Sequence, residues 1–110
     1  REPLVSDARP VATLDDYQRA AARTMNASLA TDQALLDASC GLAEEGGEVL
    51  AHVRKHVMQG RALDRARLTE ELGDALWCIA AAARTLDIPL SAVAQANLDK
   101  LRVRYPPHPL

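Results

Sequence analysis

The sequence predicts an all-α domain, a four-helix bundle, and three observations carry that expectation. Alanine fills 21 of 110 positions, aromatic residues make up 3% and Phe is absent. Alanine is the strongest helix former, and the aromatic residues that favour strands are scarce. Prolines gather at the ends: Pro3 and Pro10 at the start, Pro106, Pro107 and Pro109 at the finish, with Pro89 alone between them. The interior can therefore be helical almost throughout, and within it apolar residues recur at steps of three and four.

Residues 1–12 read as an N-terminal arm, 13–106 as one domain and 107–110 as a tail. Thr13 with Asp16 three residues on resembles a capping box, with Asp in place of Glu, and opens a first helix to about Met25. The stretch Asn26 to Asp32 supplies a loop and a second start signal. Leu35, Leu42, Val49, Val53 and Val57 then form a stripe, with Leu36 and Leu50 beside it, along a long second helix ending at Gly60. Asp64 suits the N-cap of a third helix, in which Leu68, Leu72, Leu76, Ile79, Ala83 and Leu86 step together to an end near Asp87. Pro89 begins a fourth, which runs to Tyr105. The short connections predict an antiparallel hairpin of helices two and three.

A formal net charge of -2 and a pI near 5.9 provide no basic field for a nucleic-acid backbone. The longest apolar run, Ala75 to Ala83, is nine residues, against about 20 for a membrane span. Neither nucleic acid nor membrane is expected as a partner. Arg1-Glu2-Pro3 does not read as a secretory leader, and the missing Met points to a longer N-terminus. Cys40 and Cys78 read as buried, reduced thiols, so a cytoplasmic protein is expected.

The departure from a plain bundle is acidic. Glu44-Glu45-Gly46-Gly47-Glu48 lies on the second helix and Glu70-Glu71-Leu72-Gly73-Asp74 on the third. Glu45 with Glu48, and Glu71 with Asp74, share a face at three-residue spacing. Solvated surface acids are the plain alternative. Against it, Glu44/Glu48 and Glu70/Asp74 are like-charge pairs at four-residue spacing, each costing about 0.2–0.5 kcal/mol, with no Lys or Arg four residues after any of these acids. Gly41, Gly46, Gly47 and Gly73 lie in or beside the clusters, where each costs about 1 kcal/mol relative to Ala. A missing side chain there permits close helix contact or leaves room for a ligand. Asp74 also abuts the apolar run, at the expected edge of the core.

Four convergent carboxylates suit a hard divalent cation, Mg²⁺ first and Mn²⁺ as a substitute. Zn²⁺ fits less well, since no Cys or His has a matching spacing, and the Glu-x-x-His of a di-iron bundle is absent.

These segments resemble the MazG-like all-α nucleotide pyrophosphohydrolases, whose signature is Glu-Glu-x-x-Glu followed on the next helix by Glu-x-x-Asp. The likeness extends to Gly41-Leu42-Ala43, to Ala75-Leu76-Trp77, to Asp16-Tyr17-Gln18, and to the ending from Asn97-Leu98-Asp99-Lys100 through Arg104-Tyr105-Pro106. It covers about residues 13–106. The resemblance implies Mg²⁺-dependent hydrolysis of (d)NTPs between the α- and β-phosphates, in nucleotide-pool control or house-cleaning. It implies Glu45, Glu48, Glu71 and Asp74 as metal ligands, and Glu44 as a group that activates water, binds an outer water or faces solvent. It further implies a homodimer or homotetramer with sites near subunit interfaces.

Asn97, Lys100 and Arg104 form one stripe on the fourth helix. Spacing alone reads it as a basic last turn complementing the helix dipole; the resemblance makes it a phosphate or sugar contact. His52, Arg54 and Lys55 are weaker candidates. Trp77 could stack on a base or sit in the core, and Tyr17 and Gln18 could line the nucleoside end or anchor the first helix. Two other readings stand beside this one: phosphoribosyl-ATP pyrophosphatase, and a non-catalytic helical metal-binding or assembly module.

Overall fold

The computed structural model describes residues 10–107; the arm expected before residue 10 and the tail from 108 onward lie outside the described residues. Four helices follow in order, α1 (Leu14–Ala22), α2 (Thr31–Gln59), α3 (Arg65–Thr85) and α4 (Leu90–Arg104). No strand occurs among the described residues.

The caps explain the boundaries. Thr13 Oγ1 accepts the Asp16 N–H at 3.0 Å, but the returning half of the box is not made, because Asp16 pairs with Arg19 instead. The helix α1 stops at Ala22, three residues short of the expected Met25. The Thr24 hydroxyl donates to Ala21 O at 2.7 Å, and Asn26 Oδ1 turns the chain by accepting Ser28 N–H at 3.0 Å. Gln33 Oε1 reaches back to the Ala30 N–H at 3.2 Å to open α2. Gly60, at φ 68°, closes it in the left-handed conformation that glycine adopts without strain. Asp64 Oδ1 caps α3 through Arg67 N–H at 3.0 Å. At the far end Asp87 takes φ 58° and Ile88 N–H returns to Ala83 O at 2.8 Å.

The helices α2 and α3 form the expected antiparallel hairpin and share the largest interface. Its register runs in opposite order along the two helices. His52 meets Asp64 near the turn, Gly41 meets Cys78, and Ala38 lies with Ala81 beside Trp77 further on. Two helices can approach this closely only where side chains are small, and the buried apolar set is Ala38, Cys78, Ala80, Ala81, Ala83 and Leu90. The expected stripes are corrected accordingly. Leu42 and Val57 on α2, and Leu72, Leu76 and Leu86 on α3, are exposed, whereas Leu35, Val49, Val53, Leu68 and Ile79 are half-buried. Close contact through alanine, glycine and cysteine leaves bulky residues at the edges and backs of the hairpin. Cys40 is likewise exposed, not buried; Cys78 is buried, and both thiols are free.

The helix α4 departs from α3 at 103°, packs on α1 and α3, and does not touch α2. Its start is held by side chains of α1. Gln18, buried, donates from Nε2 to Ile88 O at 2.9 Å and to Ala80 O at 3.4 Å, and accepts Leu90 N–H on Oε1 at 2.9 Å. Asp15 accepts Ser91 N–H at 2.9 Å and the Ser91 hydroxyl at 2.7 Å. These bonds satisfy the first N–H groups of α4, which Pro89 cannot cap. No single described helix is long and apolar enough to cross a membrane, although α3 with α4 reaches that length and composition as a bent pair.

Candidate functional site

The hairpin register brings the two acidic segments together. Glu45 is half-buried on α2, facing α3. Burial, followed by the charges of Asp74, Glu48, Glu71 and Glu44, raises its carboxyl above the ordinary range. The charges acting on Glu45 are all negative, so the cluster is a concentration of like charge.

Glu71 is the buried member, at 8% exposure, whereas Asp74, expected at the edge of the core, is exposed. Its Oε1 accepts Arg67 Nε–H at 3.3 Å, and its buried Oε2 has no hydrogen-bond partner. A buried carboxylate oxygen without a donor costs about 1–3 kcal/mol or more, a cost that a hydrogen-bond donor or a cation beside it would remove. Arg67 is not among the sequence candidates, since no Lys or Arg stands four residues after any of these acids. Arg67 lies four before Glu71, and that spacing was the available signal. Glu44, Glu48 and Glu70 are exposed.

As they stand, no three Asp, Glu, His or Cys groups among the described residues are gathered closely enough to chelate an ion. The donor set is all oxygen, which matches Mg²⁺ or Mn²⁺ and not a thiolate or imidazole metal.

Tyr17 borders the cluster from α1. Burial and then the Asp74 charge raise its phenol. It lines an open hollow of ≈ 420 Å³ with Val11, Ala12, Thr13, Leu14 and Leu76. Cys78 borders it from α3, its thiol raised by burial and then by Glu45 and Asp74.

Other expected residues lie elsewhere. Trp77 donates its indole N–H to Thr24 Oγ1 at 2.8 Å and packs among Ala21, Ala22 and Met25, which makes it the anchor of α1 on α3. Gln18 acts as the α1–α4 staple, the helix-anchoring role. His52 Nε2 accepts the Asp64 N–H at 3.2 Å and so braces the α2–α3 turn. Asn97, Lys100 and Arg104 are exposed on α4. Because α4 has no contact with α2, one chain does not bring this stripe to Glu45 and Glu48. A second hollow of ≈ 230 Å³, lined by Asp15, Arg19, Arg84 and Asp87 among others, lies at the junction of α1 with the α3–α4 turn, apart from the acids.

The model of the MazG nucleotide pyrophosphohydrolase domain matches residues 33–108, from the first turn of α2 through α4. The helix α1, with Tyr17, precedes the match. The Gene 37 protein of Mycobacterium phage L5 is 36% identical over 99 residues, covering 83% of this chain and 87% of the phage protein. No solved structure matches the chain.

Proposed function

Because the chain belongs to the MazG nucleotide pyrophosphohydrolase family, we propose that it hydrolyses nucleoside triphosphates, ribo or deoxy, between the α- and β-phosphates to a monophosphate and pyrophosphate. The reading is supported above all by the buried Glu71 Oε2, which has no partner and lies in a cluster of acids with no nearby cation but Arg67. Glu45, Glu48, Glu71 and Asp74 would hold Mg²⁺, or Mn²⁺ in its place. The ion would neutralise phosphate oxygens and lower the pKa of a water.

The chain's own residues supply the rest. Arg67 holds one oxygen of Glu71 and leaves the other, buried, without a partner. Glu44, exposed beside Glu45, is free to take a proton from solvent-side water. Tyr17 and its apolar hollow offer a wall for the nucleoside next to the acids. Asn97, Lys100 and Arg104 supply polar and cationic groups for the triphosphate, reaching the acids of another subunit in a homodimer or homotetramer. Nucleotide-pool house-cleaning in the cytoplasm is the role this chemistry fits.

The test is a panel of nucleotides with Mg²⁺ and identification of the products. Monophosphate plus pyrophosphate is expected. Diphosphate plus phosphate would overturn the bond assignment, turnover of phosphoribosyl-ATP alone would move the substrate, and no turnover with Mg²⁺ or Mn²⁺ would leave a non-catalytic module. Glu48→Gln and Asp74→Asn are each expected to reduce turnover at least 100-fold with helicity retained; activity within tenfold of wild type in both would remove them from the site.

A further inference from the structure

Glu71 is the one expected metal ligand whose carboxylate is already half engaged. Its Oε1 accepts Arg67 Nε–H at 3.3 Å and its buried Oε2 has no partner, whereas Glu45, Glu48 and Asp74 form no ion pair among the described residues. The two side chains differ in depth. Glu71 is 10% exposed and Arg67 65% exposed, so the guanidinium reaches in from solvent to one oxygen of a carboxylate that is otherwise enclosed.

Helix chemistry does not account for this arginine. It stands in the first turn of α3, which carries no acid beyond its cap, Asp64, and there the positive end of the helix dipole disfavours a base. A base four residues before an acid is also the weaker order for a pair on one helix. The position is nevertheless built. Arg67 N–H is taken by Asp64 Oδ1 at 3.0 Å, and Asp64 N–H is taken by His52 Nε2 at 3.2 Å. A chain of bonds from α2 across the turn thus fixes the residue that holds Glu71.

From this geometry we infer that Arg67 is a positioning residue that limits Glu71 to one oxygen toward a bound cation, and thereby selects a small octahedral ion, Mg²⁺ or Mn²⁺, against Ca²⁺. The inference rests on the divalent-metal reading proposed above and adds to it the residue that sets the choice of ion.

The two kinds of ion ask different things of a carboxylate. Ca²⁺ takes about six to eight oxygens at about 2.3–2.6 Å and accepts a carboxylate through both of its oxygens, whereas Mg²⁺ is held at about 2.0–2.1 Å in a near-ideal octahedron. With Oε1 committed to the guanidinium, Glu71 offers the single contact an octahedral ion uses and withholds the second that Ca²⁺ gains. A pair with an exposed arginine adds little to stability; what it changes is the number of oxygens left on Glu71. Such outer partners orient ligands and tune metal sites as strongly as the ligands themselves.

The test measures metal binding without nucleotide, so it does not depend on turnover. Calorimetric titration of the whole chain with Mg²⁺, Mn²⁺ and Ca²⁺ gives the ratio of Ca²⁺ to Mg²⁺ affinity. Removal of the arginine charge acts on every divalent ion alike and cancels in that ratio. In Arg67→Met the ratio is expected to move at least about fivefold toward Ca²⁺, as Glu71 gains its second oxygen. Arg67→Lys keeps a charged donor and is expected to stay within about twofold of the wild type, with Mn²⁺ following Mg²⁺ in all three proteins. Circular dichroism checks folding, and Arg67→Ala takes the place of Arg67→Met if the latter does not fold. An unchanged ratio in the folded variant, or the same shift in Arg67→Lys, would overturn the role of Arg67 and leave the metal reading standing. A wild-type chain that binds no divalent cation would overturn both.

Discussion

Gly41→Ala tests whether the hairpin is held at its spacing by a missing side chain. A Cβ at Gly41 would lie 2.7 Å from Cys78 Sγ, against about 3.5–4.0 Å for an unstrained contact, so about 1 Å of separation must be found. Cys78 is buried and its sulfur is only two bonds from the backbone Cα, so relief comes from forcing the thiol off its rotamer or parting α2 from α3. Overpacking of this kind costs about 1–3 kcal/mol, and replacing a helical glycine by alanine returns about 1 kcal/mol. The net expectation is about 1 kcal/mol of destabilisation, or about 4–8 °C in Tm. Gly46→Ala meets nothing within 4 Å and keeps only the gain, so the two variants should differ by about 2 kcal/mol. Urea and thermal unfolding followed by circular dichroism measure both. Adding Cys78→Ala to Gly41→Ala should recover most of the loss, a coupling that a double-mutant cycle isolates. A Gly41→Ala protein as stable as Gly46→Ala, or no recovery in the double variant, would refute the close-contact argument.

Three further outcomes are expected. Gln18→Ala removes the bonds to Ile88 and Leu90 and leaves buried backbone groups unpaired, at about 2–4 kcal/mol; a loss below about 1 kcal/mol in urea unfolding would show that water replaces them. Glu45 has a folded pKa raised above the unfolded value, so between the two the folded state binds more protons. Stability of the metal-free protein therefore falls as pH rises through that window. In EDTA, Glu45→Gln should flatten this part of the Tm profile, and an identical profile would refute the crowding of charge. Gly73→Ala, with nothing within 4 Å of its new Cβ, should gain about 1 kcal/mol. If the space beside Glu71 and Asp74 serves a ligand, the same change lowers turnover; unchanged turnover would make Gly73 a matter of helix chemistry alone.

The approach of the two acidic segments was legible because helical spacing is rigid. Glu45 faces Asp74 once α2 and α3 are antiparallel, and short connections predict that. Spacing cannot give depth, and the acid that is buried is Glu71, not Asp74. Trp77 shows the same limit. Its place three residues after Asp74 is compatible with stacking on a base, but its indole N–H is taken by Thr24, 53 residues earlier in the chain. Gln18 and Asp15 cap a helix whose start lies more than 70 residues away, and no local pattern announces a cap supplied across the fold. The stripe of Asn97, Lys100 and Arg104 was correctly placed on one helix, while the 103° break before α4 decides that the helix leaves α2 alone.

By itself the sequence determined an all-α chain, its four helices and most of their caps, and the two acidic segments, because each depends on propensities and spacings within a few residues. Only the tertiary structure decided what those elements meet. Alanine, glycine and cysteine bring α2 and α3 into close contact and leave Leu36, Leu42 and Leu50 exposed; Glu71 is buried with one oxygen unpaired, and the 103° break sets α4 against α1 and α3. Burial and charge crowding arise from the approach of elements distant in sequence, and periodicity within one helix holds no record of that approach.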